Sequence, residues 1–327
     1  MHGDPGRSRS PAPALLLAAT LAAGPAAAAD VTTPIVSGLA FRSGASYGTD
    51  CLAQLRNRPL DVVLSFLGHK SFPALPGYAA AMARTAKKAP LWVVTVPLLT
   101  DNTRGQFAQC AAGAFDGYFR QVGANLAKGG AQQVVARLGH EANSGTHDWG
   151  VTSASQIPAY VACWRRAAQA LKAGGPGLLV EWTNAKKGKL PALSMYPGDD
   201  VVDVWGVHYY DTGPEKNTQA IWDQYYMATY NGTPWGVGAW LLAAQQHGKQ
   251  LAVGEWGTKQ LDGQTAAQAD DPVFVDNMYR FFRDHAAGIA YESYFNATTG
   301  SGGHRLCPTT DYPNAAATYK RDWASGR

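Results

Sequence analysis

Apolar and polar positions along this chain fall into two alternating kinds of stretch. Short β-branched apolar runs read as strands buried on both faces, and longer segments with helical spacing of apolar residues lie between them. The strands predicted in this way are Ile35 to Phe41, Leu60 to Phe66, Leu91 to Leu98, Gln133 to Leu138, Gly177 to Trp182, Val201 to His208, Gln250 to Val253 and Gly288 to Tyr294. Helices are expected over Cys51 to Arg56, Tyr78 to Lys88, Ala111 to Lys128, Ala154 to Lys172, Trp235 to His247 and Pro272 to Ala287, with an irregular stretch up to Met195. A closing helix runs from Asn314 to Trp323, with Asn314 after Pro313 as its expected N-cap. Eight strands, each followed by a helical connection, point to a single α/β (β/α)8 TIM barrel. A doubly wound open sheet is the other fold that this alternation permits, but no G-x-G-x-x-G follows the first strand.

Two of the runs end in side chains that can do chemistry. The fourth, QVVARLGHEAN from Gln133 to Asn143, ends in Arg137, His140, Glu141 and Asn143, and the seventh, LAVGEWGT from Leu251 to Thr258, delivers Glu255. In a β/α barrel the C-terminal ends of the strands carry the active site. One such glutamate would as readily cap the next helix or pair with Arg137. Two on separate strand ends form the pair that glycoside hydrolysis needs, one to protonate the leaving oxygen and one to attack the sugar. Arg137 pairs with a carboxylate either in such a site or as a structural ion pair, and Glu181 and Glu292, inside strands, read as ion-pair or hydrogen-bond partners. Asn184 ends the fifth strand within reach of a sugar hydroxyl. Trp149, Trp182, Trp205 and Trp256 are candidate sugar platforms, with Trp149 and Trp256 favoured because they follow the two glutamates.

These motifs carry a resemblance. RLGHEAN at the fourth strand, VEWTN at the fifth, MYPGDDVVDVWGVHYYD at the sixth, GEWGT at the seventh and YFN at the eighth occur in barrel order over nearly the whole chain from Asp30. The chain resembles glycoside hydrolase family 26, which includes β-mannanases, some β-1,3-1,4-glucanases and β-1,3-xylanases. The resemblance implies a retaining hydrolase with Glu141 as general acid/base and Glu255 as nucleophile, Tyr210 hydrogen-bonded to the nucleophile, and Tyr294 as an aromatic floor under the bound sugar. His140 is expected to bind substrate or orient Glu141. The acid must hold its proton near neutrality, so the surroundings of Glu141 are expected to raise its pKa. Two departures stand out: HEANSGTHDWG replaces the HEMNG common in mannanases, and His208 stands where an aspartate is common. Both fall around the substrate subsites and count against a mannan-specific site; by the resemblance β-1,4-mannan is still the leading substrate, with mixed-linkage glucan, β-1,3-xylan or a bacterial exopolysaccharide as alternatives. A non-catalytic carbohydrate-binding barrel is the alternative of another class, disfavoured by the presence of both glutamates. A polysaccharide lyase is disfavoured by the same pair.

Composition adds the setting. Hydrophobic residues make up 46% of the chain and charged ones 16%, enough for a sizeable core and against disorder. A net charge of +4, without basic clusters, gives no support to a nucleic-acid partner. The aromatic share of 11% suits a surface that stacks on sugars, although most of the rings should be core. Residues 1–29 read as a secretory signal: Arg7 and Arg9 precede a short apolar run, and Ala26 to Ala29 offer a cleavage site before Asp30. The catalytic domain is then 30–327, secreted to an extracellular or periplasmic space, expected to act on a polysaccharide or oligosaccharide as a monomer, without membrane attachment after cleavage. Export favours two disulfides among the four cysteines. Cys51 follows the first strand and Cys307 the eighth, neighbours on closure, while Cys110 and Cys163 lie in adjacent helical units; the expected pairs are Cys51–Cys307 and Cys110–Cys163. No C-x-x-C spacing suggests zinc, and neither cofactor nor metal is expected.

Overall fold

The structure, a computed structural model, describes residues 30–326 other than 87–88, 213–216, 261–262 and 300–301. The segment read as a secretory signal lies outside the described residues. Eight parallel strands close into a barrel: β1 Ser43–Ala45, β2 Val62–Phe66, β3 Leu91–Val96, β4 Gln133–Leu138, β5 Leu179–Ala185, β6 Val204–Tyr210, β7 Gln250–Gly257 and β8 Ile289–Tyr294. Neighbours follow chain order and β8 closes onto β1. This is the (β/α)8 barrel that the alternation of runs predicts, and closure rules out the open sheet. Alternation along each strand sorts the side chains. Val62, Leu64, Val93, Val135, Leu179, Val204 and Ala252 fill the barrel, while Trp92, Val94, Ala136, Trp182 and Trp205 face the helical layer.

β7 breaks this alternation. Gly206 and His208 of β6 lie opposite Ala252 and Glu255, so three steps of β7 match two of β6, and β8 shows the same offset, with Glu292 opposite Val253 and Tyr294 opposite Trp256. The extra residue is a β-bulge, which reverses which side chains point inward beyond it. Strict alternation from Ala252 would turn Glu255 outward. The bulge instead turns Glu255 toward the barrel mouth and sends Trp256 into the helical layer. Gly254 fits the bulge because a Cβ there would stand 3.0 Å from the Arg137 guanidinium and 3.2 Å from the Tyr291 hydroxyl.

The helices are α1 Thr49–Leu55, α2 Leu75–Ala83, α3 Phe107–Ala111, α4 Asp116–Leu126, α5 Ile157–Gly174, α6 Gln219–Tyr226, α7 Val237–Gln246, α8 Ala266–Ala269, α9 Pro272–Asp284 and α10 Pro313–Ser325. Several elements differ from expectation, among them α8, which was not foreseen. The single helix read over Ala111 to Lys128 is two, α3 and α4, and α6 was not foreseen. The first strand lies at Ser43–Ala45 rather than Ile35 to Phe41, whose Phe41 packs on Tyr279, Phe282 and Trp323 outside the barrel. α10 begins one residue earlier, and Asn314 is not its cap: Asp270 accepts from the backbone N–H groups of both Asn314 and Ala315, at 2.9 and 2.7 Å. Disulfides join Cys51 to Cys307 and Cys110 to Cys163 as expected, with Cα separations of 6.1 and 5.0 Å. The first links the start of α1 to the chain beyond β8, across the closing seam. Among the described residues no helix is long and apolar enough to cross a membrane.

Candidate active site

An open cleft lies at the C-terminal mouth of the barrel, and both glutamates line it. Glu141 arrives on a turn that only a few conformations allow. Gly139 and Glu141 both take left-handed backbone angles, φ 56° and 52°. A Cβ at position 139 would stand 2.8 Å from that of Leu98. Glu141 pays a penalty of about 1–2 kcal/mol for this conformation. It is held there by its N–H, which donates to the Thr183 carbonyl at 2.9 Å, and by the short turn Ala142–Ser144 that follows.

The two carboxylates are joined through the barrel interior. Both oxygens of Glu255 meet donors: Arg137 Nη2 lies 2.6 Å from Oε1, and the Tyr210 hydroxyl donates to Oε2 at 2.9 Å. Arg137 also reaches His208, Nη1 to Nε2 at 2.5 Å, and His208 Nδ1 lies 2.8 Å from Glu141 Oε1. One imidazole ring thus stands between the catalytic candidates, its Nε2 3.4 Å from Glu255 Oε1. The Arg137 guanidinium is fully buried, and its other contacts go to Thr95 Oγ1. Burial opposes its charge, but Glu255, Tyr291 and Glu181 around it raise its pKa. Glu181, hydrogen-bonded by Thr183 and Tyr291, is pushed up by burial against the pull of Arg137. Burial and the nearby Glu255 charge also keep Tyr210 protonated, well above its ordinary range, so it remains a donor.

The protonation state of Glu141 runs against expectation. Burial pushes its carboxyl up, but the electrostatic influence of His208, the nearby His147 at 3.5 Å and the hydrogen bond to His208 outweigh it and hold the group well below the usual carboxylate range. The surroundings of Glu141 therefore stabilise its ionised form rather than the acid. Beside it, burial and the charge of Arg137 push the His140 pKa far down, so His140 is neutral. Its Nδ1 has no hydrogen-bond partner among the described residues. His140 and Trp149 both line the cleft, and the indole N–H of Trp149 donates to the His140 carbonyl at 2.7 Å. His147 stacks on Trp149 with ring centres 4.9 Å apart.

Of the residues expected at the site, Glu141, Glu255, His140, Trp149 and Tyr210 come together here, and Asn184, Trp256 and Tyr294 do not. Trp256 is fully buried, stacked on Trp323 at 5.4 Å, and donates to Glu292 at 2.6 Å, because the β7 bulge turns it outward. Tyr294 lies two residues beyond the outward Glu292 and so also faces the helices, its hydroxyl bonded to the His304 carbonyl. Asn184 alternates outward between Thr183 and Ala185, buried with no partner for its amide among the described residues. Trp182 and Trp205 are likewise in the outer layer. The rings that line the cleft beside Trp149 are instead Tyr47, Phe66 and Phe295, with Tyr47 stacked on Phe66 at 5.5 Å. Phe66 was legible, since it continues the inward alternation of Val62 and Leu64. Tyr47 and Phe295 sit in loops that carry no such signal. Glu292 binds Ser43, Trp256 and Trp323 on the outer face of the barrel, and its burial pushes its pKa up to about 7.

One cluster has the donor set of a metal site. His69 Nδ1 lies 2.6 Å from Asp101 and 2.9 Å from Asp148, and the three ligand atoms are within 4.8 Å of one another. Arg104 already engages the Asp148 carboxylate, so a fixed cation occupies the role that a metal would take, and the group reads as an ion-pair network on the cleft rim.

Residues 109–233 match the model of glycosyl hydrolase family 26. No curated protein matches the chain by sequence. The fold is similar to that of a modular endo-β-1,4-mannanase from Cellulomonas fimi, with 17% identity, a TM-score of 0.61 and coverage of 92% of this chain and 79% of that one. It is also similar to a family 26 β-mannanase from Bacteroides ovatus, at 17% identity and a TM-score of 0.54, over 88% of this chain and 87% of that one. The catalytic domain of a family 26 endo-β-1,4-mannanase from Bacillus sp. JAMB-750 matches at 16% identity and a TM-score of 0.58, over 88% of each chain. The sequence match, over a segment that includes Glu141 and His208, and the shared barrel make this chain similar to the glycoside hydrolases of family 26.

Proposed function

We propose that the protein is a secreted, retaining, endo-acting β-glycosidase that cleaves a polysaccharide by double displacement, with β-1,4-mannan as the first substrate. The observation that carries this reading is the placement of two glutamates from different strands in one cleft, one on either side of the His208 ring, at 2.8 Å from Nδ1 and 3.4 Å from Nε2. Retaining hydrolases need their carboxyl groups about 5–5.5 Å apart, and inverting ones need room for a water between them. Glu255, held by Arg137 and Tyr210 at both oxygens, is aimed to attack the anomeric carbon. Glu141 gives its proton to the departing glycosidic oxygen and later takes one from the water that releases the sugar. Tyr47, Phe66, Trp149 and Phe295 offer ring faces to the sugars, and the free Nδ1 of His140 offers a hydrogen bond. Secretion is supported by the N-terminal pattern and by the two disulfides.

The substrate is tested by measuring reducing ends released from β-1,4-mannan, mixed-linkage β-glucan, β-1,3-xylan and a bacterial exopolysaccharide. Release from mannan with a rapid fall in viscosity is the expected result. Folded protein that binds these polymers and cleaves none would overturn the catalytic reading in favour of a carbohydrate-binding barrel.

A further inference from the structure

Resting on the assignment of Glu141 as acid/base, we propose that His208 is a positioning residue, locked by Arg137 in one tautomer, whose Nδ1–H holds the Glu141 carboxylate and confines turnover to acid pH. The argument starts from donors. A guanidinium has no acceptor and does not lose its proton in a protein, so the 2.5 Å contact between Arg137 Nη1 and His208 Nε2 requires Nε2 to accept. The ring proton is then on Nδ1, 2.8 Å from Glu141 Oε1, where it donates. A doubly protonated ring would bring two N–H groups face to face with no water to part them, since His208 is only 2% exposed.

The groups facing this pair come from every surrounding strand. Glu141 is met by His208 from β6, His140 beyond β4 and His147 from the following loop. His208 is met by Arg137 from β4, by Glu255 from β7 and, across the interior, by the charge of Glu181 from β5. Tyr210 lies close enough to feel both catalytic carboxylates. Arg137 is the fixed point, since it donates to Glu255 with one nitrogen and to His208 with the other. Two side chains thus link nucleophile to acid/base through hydrogen bonds of one defined direction. An acceptor-only residue at this position would face Glu141 with a second negative charge. The histidine does the opposite: its Nδ1–H, donated to Oε1 at 2.8 Å, favours the ionised acid/base. Protonated Glu141, the form needed for the first step, is then populated only on the acid side of neutrality.

The test is the pH dependence of kcat/KM on soluble β-1,4-mannan, whose basic limb reports loss of the proton on the acid. His208→Asn keeps an N–H at the place of Nδ1 and should keep that limb where it is. His208→Ala removes the donor and should move the limb up by about one to two pH units, the worth of one hydrogen bond to a charged group. His208→Asp should move it at least as far. An unmoved limb in the Ala and Asp variants would overturn the proposal while leaving the catalytic assignment intact; an inverted product anomer would instead remove the assignment. Nitrogen-15 NMR of the unaltered protein, labelled at histidine, needs neither substrate nor variant: Nδ1 protonated and Nε2 bare on His208 supports the proposal, and the reverse tautomer or an imidazolium contradicts it.

Discussion

Glu141 and Glu255 occupy similar places and have different surroundings, and their variants should separate accordingly. Glu255→Ala should abolish turnover of every substrate, because no glycosyl-enzyme can form. Glu141→Ala should be selective: a dinitrophenyl glycoside needs little protonation and should still form the intermediate, which then accumulates for want of a base. Added azide should speed its breakdown and give a glycosyl azide of retained configuration. Equal losses on all substrates with a lowered melting temperature would mean that both carboxylates are structural. At this scale the sequence was informative about which side chains reach the cleft where that depends on their own strand end, as for Glu141, Glu255, His140 and Tyr210. It was silent on what joins them. Arg137 could be read as a partner of some carboxylate, and His208 as a departure from the family, but their contact depends on β4 and β6 facing each other across the barrel interior.

The bulge in β7 decides which side chains reach the cleft. Glu255 and Trp256 are neighbours in sequence, and both were expected at the site, yet one extra residue around Gly254 sends them to opposite faces. Nothing in the string LAVGEWGT marks that residue except the glycine. Gly254→Ala would place a methyl group 3.0 Å from Arg137 Nη1 in a fully buried position. The guanidinium must then shift from Glu255 and His208, so kcat should fall by at least about tenfold, since a displaced hydrogen bond to a charged group costs about 1.5–3 kcal/mol. Steady-state kinetics checks this; unchanged kcat would mean that Arg137 does not align the nucleophile. Elsewhere strands were legible because buried parallel strands are continuous apolar runs. β1 was not, being three small residues, Ser43–Ala45, next to a more apolar stretch outside the barrel. The start of α10 failed for a different reason: its orphan N–H groups are met by Asp270, far away in sequence.

Across the whole molecule, the order of the motifs was enough for the barrel and for both disulfides, because chain order and spatial order coincide around a closed parallel sheet. What closes the seam chemically was less visible. Glu292 is buried between barrel and helices with its pKa raised to about 7. A carboxyl whose folded pKa lies above its unfolded value binds more protons in the native state, so its contribution is complete below about pH 4.5 and is lost as pH rises through 7. Asp271, raised to about 7 by burial and by Asp211, acts in the same direction. The melting temperature should therefore fall between pH 5 and 8, and Glu292→Gln should flatten part of that fall; an identical slope in the variant would locate the effect elsewhere.

The central claim, that Glu255 attacks the sugar while Glu141 handles the proton, is tested most directly by proton NMR of the first product formed from a β-linked substrate, recorded before mutarotation. Two displacements at the anomeric carbon predict the β-anomer, the configuration of the substrate. First appearance of the α-anomer would mean a single displacement by water and would contradict the account.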